Sequence, residues 1–298
     1  MDLNQVAVFV KVVQAGSFSA AARQLGLPVS TVSHRVAALE RRLGVTLLQR
    51  TTRRLKLTDA GEQYFQHAAV GLGQMQEAEA AVSESLGEAA GLLRVTAPPD
   101  FGDRILAEVM TRMRHQHPKV RIEMVLTNAY VDLVAEGIDV AIRTGDLKDS
   151  SLIARNVGIA RWTLFASPDY LKSAPPLNTP QALKQHCCLQ FTALGKDAWV
   201  LTHQRSTMTV PMTGTVMVND IRVVRTMVLA GDGVALLPAC LCHKECAAGQ
   251  LVQVLPEWQA KADPIHIVYP RQRFIPQKLR VFVDIASAAL RGFLAIAP

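Results

Sequence analysis

Two hundred and ninety-eight residues, 49% of them apolar, suffice for two domains with filled cores and exclude a chain left unfolded for want of hydrophobic residues. No apolar run reaches ~18 residues without a charge, and Asp2 stands where an exported chain would open on Lys or Arg, so neither a membrane span nor a signal peptide is expected. The net charge is +7, and all of it belongs to residues 23–56, where Arg23, Arg35, Arg41, Arg42, Arg50, Arg53, Arg54 and Lys56 face only Glu40. Such a basic head is the footprint of a polyanion site or, on charge alone, a solvated face. Five cysteines is an odd number, and a chain of this size without an export signal has no need of disulfide staples, so a cytoplasmic location is expected.

The first element is a helix over residues 2–14, with Leu3, Val6, Val10 and Val13 on one stripe, ended by Gly16. Ser17 or Ser19 caps a second helix whose Phe18, Ala21, Ala22 and Leu25 face inward, and Gly26-Leu27-Pro28 breaks it. A third helix buries Val32, Val36, Leu39 and Leu43, leaving Thr31, His34, Arg35, Ala38, Arg41 and Arg42 on outward or flanking positions. Helix, tight turn and a second helix with a polar basic face make a helix-turn-helix over about 18–37, a unit whose second helix enters the DNA major groove. Two short β-like runs, 46–50 and 55–58, flank Thr51-Thr52-Arg53-Arg54 as a wing with basic residues at its tip.

Residues 1–90 resemble the N-terminus of a LysR-type transcriptional regulator. The resemblance rests on Phe9, Val13, Gly16-Ser17-Phe18-Ser19-Ala20-Ala21-Ala22, Leu25, Val32-Ser33, Val36, Leu39-Glu40, Leu43-Gly44-Val45, Leu47-Leu48, Arg50, Arg54 and Leu57-Thr58-Asp59-Ala60-Gly61. It implies that Ser30, Thr31, Ser33, His34 and Arg35 lie at the groove and that Arg50, Arg53 and Arg54 lie near the phosphates of double-stranded DNA. By physical type the cations position the head and the helix residues specify the site. His34 and Pro28 depart from the Arg and Ser that many members carry there, which bears on base readout; His34 can also be read as a neutral surface histidine.

From Thr58 onward, Phe65, Ala68, Leu72, Met75, Val82 and Leu86 follow a heptad-like stripe, interrupted by Glu79, along a linker helix over 60–88. A stripe on one face of a free helix needs a partner, either the same chain or, as the resemblance implies, the twin helix of a homodimer within a dimer or tetramer. Gly87 and Gly91 flank a hinge.

Beyond Leu92, strands near 92–97, 120–127, 138–142, 162–167, 213–219, 233–238 and 264–270 alternate with helices near 103–116, 129–137, 220–230 and 277–296, which reads as α/β with enough strands for two small sheets. The fold class is therefore α/β overall: a winged helix-turn-helix over 1–59, the linker helix, and a body over 89–298. This last segment resembles the effector-binding domain of the same family, similar in fold to bilobed periplasmic solute-binding proteins, with lobe 1 at about 89–161 and 268–298 and lobe 2 at about 162–267. The matching stretches are His117-Pro118, 138–143, 167–171, Asn219-Asp220, 231–238 and 249–252.

In those relatives a small-molecule effector sits between the lobes, which implies Pro98, Pro99, Asp100 and Phe101, then Thr127 and Asn128, then Arg143, Thr144 and Gly145, with Asn219 and Asp220 opposite. Ligands are expected at such strand ends on physical grounds too. Arg143 can clamp the carboxylate of an acidic metabolite or pair internally with Asp100. Pro98-Pro99 removes backbone donors from the first loop, which weakens the case for a carboxylate there.

Cys240-Leu241-Cys242-His243-Lys244-Glu245-Cys246 has no standard zinc spacing, and its thiols read as small core residues, a redox role being the alternative. No nucleophile elbow, phosphate loop or metal-binding histidine pair is present, and Gly231-Asp232-Gly233 continues wrongly for a dinucleotide fingerprint. No catalysis, metal or cofactor is expected. The partners expected are DNA, an effector, further copies of the chain and RNA polymerase, with no membrane.

Overall fold

The structure, a computed structural model, describes residues 1–50, 55–85, 88–101, 105–147, 151–195, 197–212, 216–260, 262–272 and 274–295, with backbone only at 50, 76–77 and 79–85. The head begins with helix α1 (Leu3–Gln14), capped by the Asp2 carboxylate on Asn4 N. Helix α2 (Phe18–Leu25) is capped by Ser17, whose Oγ accepts from Ala20 N, and is closed by Gly26 at φ 63°. Helix α3 (Val29–Leu43) ends on Gly44 at φ 72°. Left-handed backbone at both ends is what glycine permits without a Cβ penalty. Strands β1 (Leu48–Arg50) and β2 (Leu55–Leu57) pair antiparallel, and helix α4 (Asp59–Ser85) follows.

The head core contains Val6, Phe9, Val12, Ala21, Val32, Val36, Leu39 and Leu47. It also takes in Phe65, with Tyr64, Ala68 and Leu72 packed against it, and Phe9 meets Tyr64 edge-on at 5.6 Å. The first half of the linker stripe is thus buried on the chain's own head, so Phe65, Ala68 and Leu72 find their partner within the chain. Away from this contact, Val70 and Met75 stay exposed. Val82 lacks a described side chain, and Leu86 lies outside the described residues.

In the body, strand β3 (Gly91–Ala97) leads through a short 3-10 turn at Pro99–Phe101 to helix α5 (Ala107–Gln116), strand β4 (Val120–Leu126) and strand β5 (Val140–Thr144). The helix expected near 129–137 does not form. Asp132 caps a single turn, its Oδ1 accepting from Val134 N and Ala135 N at 3.0 Å, and Gly137 at φ 65° ends it. Strand β5 begins two residues later than expected because Asp139 Oδ2 is engaged with Arg94 N at 2.7 Å.

Strand β6 (Leu152–Ala166) is followed by helix α6 (Pro168–Ser173), strands β7 (Cys188–Phe191), β8 (Ala198–His203), β9 (Ser206–Pro211) and β10 (Met217–Val218), and helix α7 (Ile221–Ala230). Strand β11 (Val234–Pro238), helix α8 (Ala239–Ala247), strands β12 (Val252–Val254) and β13 (Ala262–Pro270) and helix α9 (Gln277–Ala295) complete the chain.

The two small sheets expected from sequence are joined. Strand β6 pairs with β13 along residues 152–161 and with β11 and β12 along 162–166, so one path runs β10-β7-β11-β6-β13-β5-β3-β4. Its fifteen residues are long enough to serve both lobes. On the return, Ala262 already pairs with Arg161, so β13 enters the first lobe's sheet ahead of the crossover expected near 267.

Two cores flank this spine, one around Leu93, Val95, Ile142, Ile267 and Phe282, the other around Leu164, Phe165, Trp199, Val228 and Leu236. Helix α8 spans them: Cys240 belongs to the first core and Cys242 to the second. At the hinge, Trp162 Nε1 donates to buried Asp263 Oδ2 at 2.9 Å across β6 and β13. Among the described residues no helix is long and apolar enough to cross a membrane.

Candidate nucleic-acid interface and effector site

Helix α3 turns Val32, Val36 and Leu39 fully into the head core, and that fixes its other face. Ser30 and His34 are exposed, while Thr31, Ser33 and Arg35 are half-buried on its flanks; Arg41 and Arg42 are exposed at its C-terminal turn. Pro28 starts the helix without a side-chain cap. Of the wing residues, Arg50 ends β1, with only its backbone described, and Arg53 and Arg54 lie outside the described residues.

The sole acid of the basic window is turned inward. Glu40 Oε1 accepts from Leu47 N at 2.8 Å and Leu48 N at 3.0 Å, tying α3 to the start of the wing. Sequence reading placed Glu40 in the family pattern but gave it no task, since bonding to backbone seven and eight residues away carries no periodic signal. Two hydrogen bonds to an ionised acceptor are worth more than neutral ones. Glu40→Ala is expected to cost the head about 2–3 kcal/mol in a denaturant melt; stability unchanged within ~0.5 kcal/mol would disprove the tie.

In the body, Thr127 and Asn128 follow β4, and Arg143 sits near the end of β5. The structure brings Thr127 and Arg143 together, with Arg143 Nη1 donating to Thr127 O at 3.4 Å, a long bond. Asp100, the internal partner considered for Arg143, lies close enough to Cys240 to act on its thiol. Burial disfavours the charged guanidinium of Arg143, and Tyr130 and Glu136 counter this. Pro99 and Asp100 are half-buried. Phe101 is 3% exposed and packs into the first core.

Across the molecule Asn219 is exposed, whereas Asp220 is occupied twice. It caps α7 through Arg222 N at 2.9 Å and binds the Arg222 guanidinium at 2.5 and 3.0 Å, which holds its carboxyl below the usual range. Missed in sequence was Asp263, whose Oδ1 lies 3.7 Å from a Cβ built on Gly145 in the loop after β5. Only the strand pairing that returns β13 beside β5 reveals it.

The cysteines are free. Burial pushes the thiols of Cys188 and Cys240 up to about 12 and that of Cys242 well above its ordinary value, as expected of core-filling groups and opposite to reactive thiolates. Among the described residues no group of three or more His, Cys, Asp or Glu side chains could hold a metal.

Comparison with known proteins bears on both halves. Residues 3–62 match the family described as "Bacterial regulatory helix-turn-helix protein, lysR family", and residues 86–291 match "LysR substrate binding domain". The chain belongs to the LysR family. It is 38% identical over 285 residues to the HTH-type transcriptional regulator PtxR of Pseudomonas aeruginosa, covering 95% of this chain and 91% of that one. The full-length structure of AphB, a Vibrio cholerae virulence activator, superposes with a TM-score of 0.65 at 31% identity, covering 97% and 99% of the two chains. CrgA of Neisseria meningitidis, a LysR-type transcriptional regulator, gives 0.63 at 32% identity over 97% and 99%. The chain is thus a LysR-type transcriptional regulator with a DNA-binding helix-turn-helix and an effector-binding α/β domain. Regulators of this family bind DNA and small-molecule effectors and form oligomers.

Proposed function

We propose that Ser30, Thr31, Ser33, His34 and Arg35 of this LysR-type regulator read base edges in the major groove, while Arg50, Arg53 and Arg54 hold the flanking phosphates. The observation that carries this reading is the outward polar face of α3 inside a window of eight cations whose one acid, Glu40, is consumed by backbone. The uncapped first turn of α3 adds amide donors suited to a phosphate.

The effector is read as a small molecule held in the cleft by Pro99, Asp100, Thr127, Asn128 and Arg143, with Asn219 on the facing lobe. Phe101 and Asp220 shape these loops through core packing and helix capping. Effector occupancy shifts the population of lobe arrangements, and with it the spacing of heads across a homodimer or tetramer and the contact with RNA polymerase. The exposed Val70 and Met75 of α4 supply apolar surface for pairing. The protein acts in the cytoplasm, without catalysis.

Footprinting on the DNA upstream of its own gene, at two salt concentrations and with random competitor, tests the reading. A roughly two-fold symmetric protected site that survives competition is the expected result. Salt-sensitive coating without a site would overturn sequence specificity. Arg53→Ala is expected to weaken binding to all sequences and to lower the salt slope by about 1, against about −0.9 per phosphate contact. By contrast, Ser33→Ala and His34→Ala should weaken the cognate site by about 1–3 kcal/mol and leave random DNA alone. An unchanged salt slope for Arg53→Ala would remove the wing from the interface.

A further inference from the structure

The first lobe's sheet has one face under α5 and α9, filled by Val95, Val140, Ile142, Ile265 and Ile267. Alternation along each strand sends Thr96, Ala141, Arg143, His266 and Val268 to the opposite face. There Thr96 stands opposite Ala141, and His266 opposite Arg143. Among the described residues, three side-chain polar atoms of this face are buried without a hydrogen-bond partner: Thr96 Oγ1, Arg143 Nη2 and His266 Nδ1. Buried polar groups are nearly always bonded, so Arg143 Nη2, on the one of these three residues that lines the concavity described next, calls for an acceptor.

Over Arg143 lies a concavity walled by Tyr130, Val131, Leu133, Leu147, Leu152 and Val268, all from the first lobe. Its walls are apolar apart from the guanidinium and the Tyr130 hydroxyl. It has room for about one water molecule as it stands, so a larger ligand enters only by moving a wall. The movable wall is the segment 130–133, which belongs to no regular element and runs into the turn capped by Asp132.

The far end of that turn touches the DNA-binding head. Ala135 packs against the head core, and the Gln14 side chain at the end of α1 lies 2.9–3.1 Å from a Cβ built on Gly137. One turn earlier, Lys11 is half-buried near Arg94 and Glu123, themselves paired at 3.0 Å. The two ends of one short capped turn therefore face the small concavity over Arg143 and the head.

We propose that the concavity over Arg143 binds a compact ligand with one carboxylate and an apolar body, and that its entry lifts the 132–137 turn from α1. The carboxylate meets the free Nη2 of Arg143, and the apolar body replaces Leu133 against Leu147, Leu152 and Val268. Glu136 is an acid whose charge acts on the guanidinium, and its exposure to solvent leaves it a weak competitor. The inference rests on the body being a ligand sensor and narrows that reading to one lobe and one chemical class.

Titration of the full-length protein with butyrate, against butyramide as a neutral control, tests it by hydrogen exchange. The expected result is altered protection at 130–134 with butyrate alone, together with faster exchange of the Lys11–Gln14 amides. Arg143→Gln should weaken butyrate by about tenfold. Arg143→Lys, which keeps the charge in a comparably sized side chain, should retain part of it. Equal response to butyramide, or no response to either, would overturn the site. So would a butyrate response confined to 99–100 and 219, which would leave the interlobe sensor standing.

Discussion

Alanine at position 61 is expected to melt the DNA-binding head and abolish operator binding, although it adds a single methyl group. Gly61 sits in the first turn of α4, where a Cβ would lie 2.1 Å from Leu47 O and 2.9 Å from Leu47 C. No flexible side chain can yield there, because the obstacle is backbone. The same carbonyl accepts from Thr58 N at 3.0 Å, and Thr58 Oγ1 both donates to Thr46 O at 2.8 Å and accepts from Gly61 N at 2.9 Å. Relief of the clash would break this joint between wing and linker helix, at a cost of about 3–5 kcal/mol. Denaturant melts of wild-type and Gly61→Ala protein, read at the head, would show it. An unshifted midpoint would mean that α4 can slide away from Leu47, and the rigid joint inferred here would be wrong.

Gly233→Ala is expected to act as severely on the second lobe. A Cβ on Gly233 would lie 2.2 Å from Cys187 O, the acceptor of Val234 N at 2.8 Å. That bond opens the parallel pairing of β11 with β7, in which Val234 stands opposite Cys188. Since Val234, Ala235 and Leu237 are fully buried in the core of this lobe, displacing the strand start opens that core as well. A loss of about 3–5 kcal/mol is expected in thermal or urea unfolding followed at Trp199, which lies in the same core. The α1–α3 head should keep its stability, and simultaneous melting of head and lobe would refute an effect local to the second lobe.

The two glycines differ from those that close α2 and α3. Gly26 and Gly44 are needed for left-handed backbone, a local requirement visible as a break after an apolar stripe. Gly61 and Gly233 are needed because another segment's carbonyl approaches, and nothing in their own neighbourhoods announces it. That contrast runs through the whole chain. The three head helices, the wing strands and the polar face of α3 follow from short-range periodicity and capping chemistry, so sequence alone determined them, whereas the choice of Ser17 over Ser19 as the α2 cap came from the structure. So did the concentration of charge in residues 23–56 and, through the family motifs, the pairing of a winged head with an α/β body.

Long-range packing decided the rest. An apolar stripe states that a face is buried and leaves open against what, so only the tertiary structure placed Phe65, Ala68 and Leu72 on the head of their own chain. Strand periodicity is silent on pairing, so the fusion of two expected sheets through the fifteen residues of β6 could not be read from it. The segment 129–137 carried a helical pattern, yet Asp132 and Gly137 confine it to one turn. For Arg143 the sequence left two partners open, an effector carboxylate and Asp100. The pairing of Arg143 with the Thr127 carbonyl, its free Nη2 and its place beneath a turn that reaches α1 arise where strands distant in sequence lie side by side.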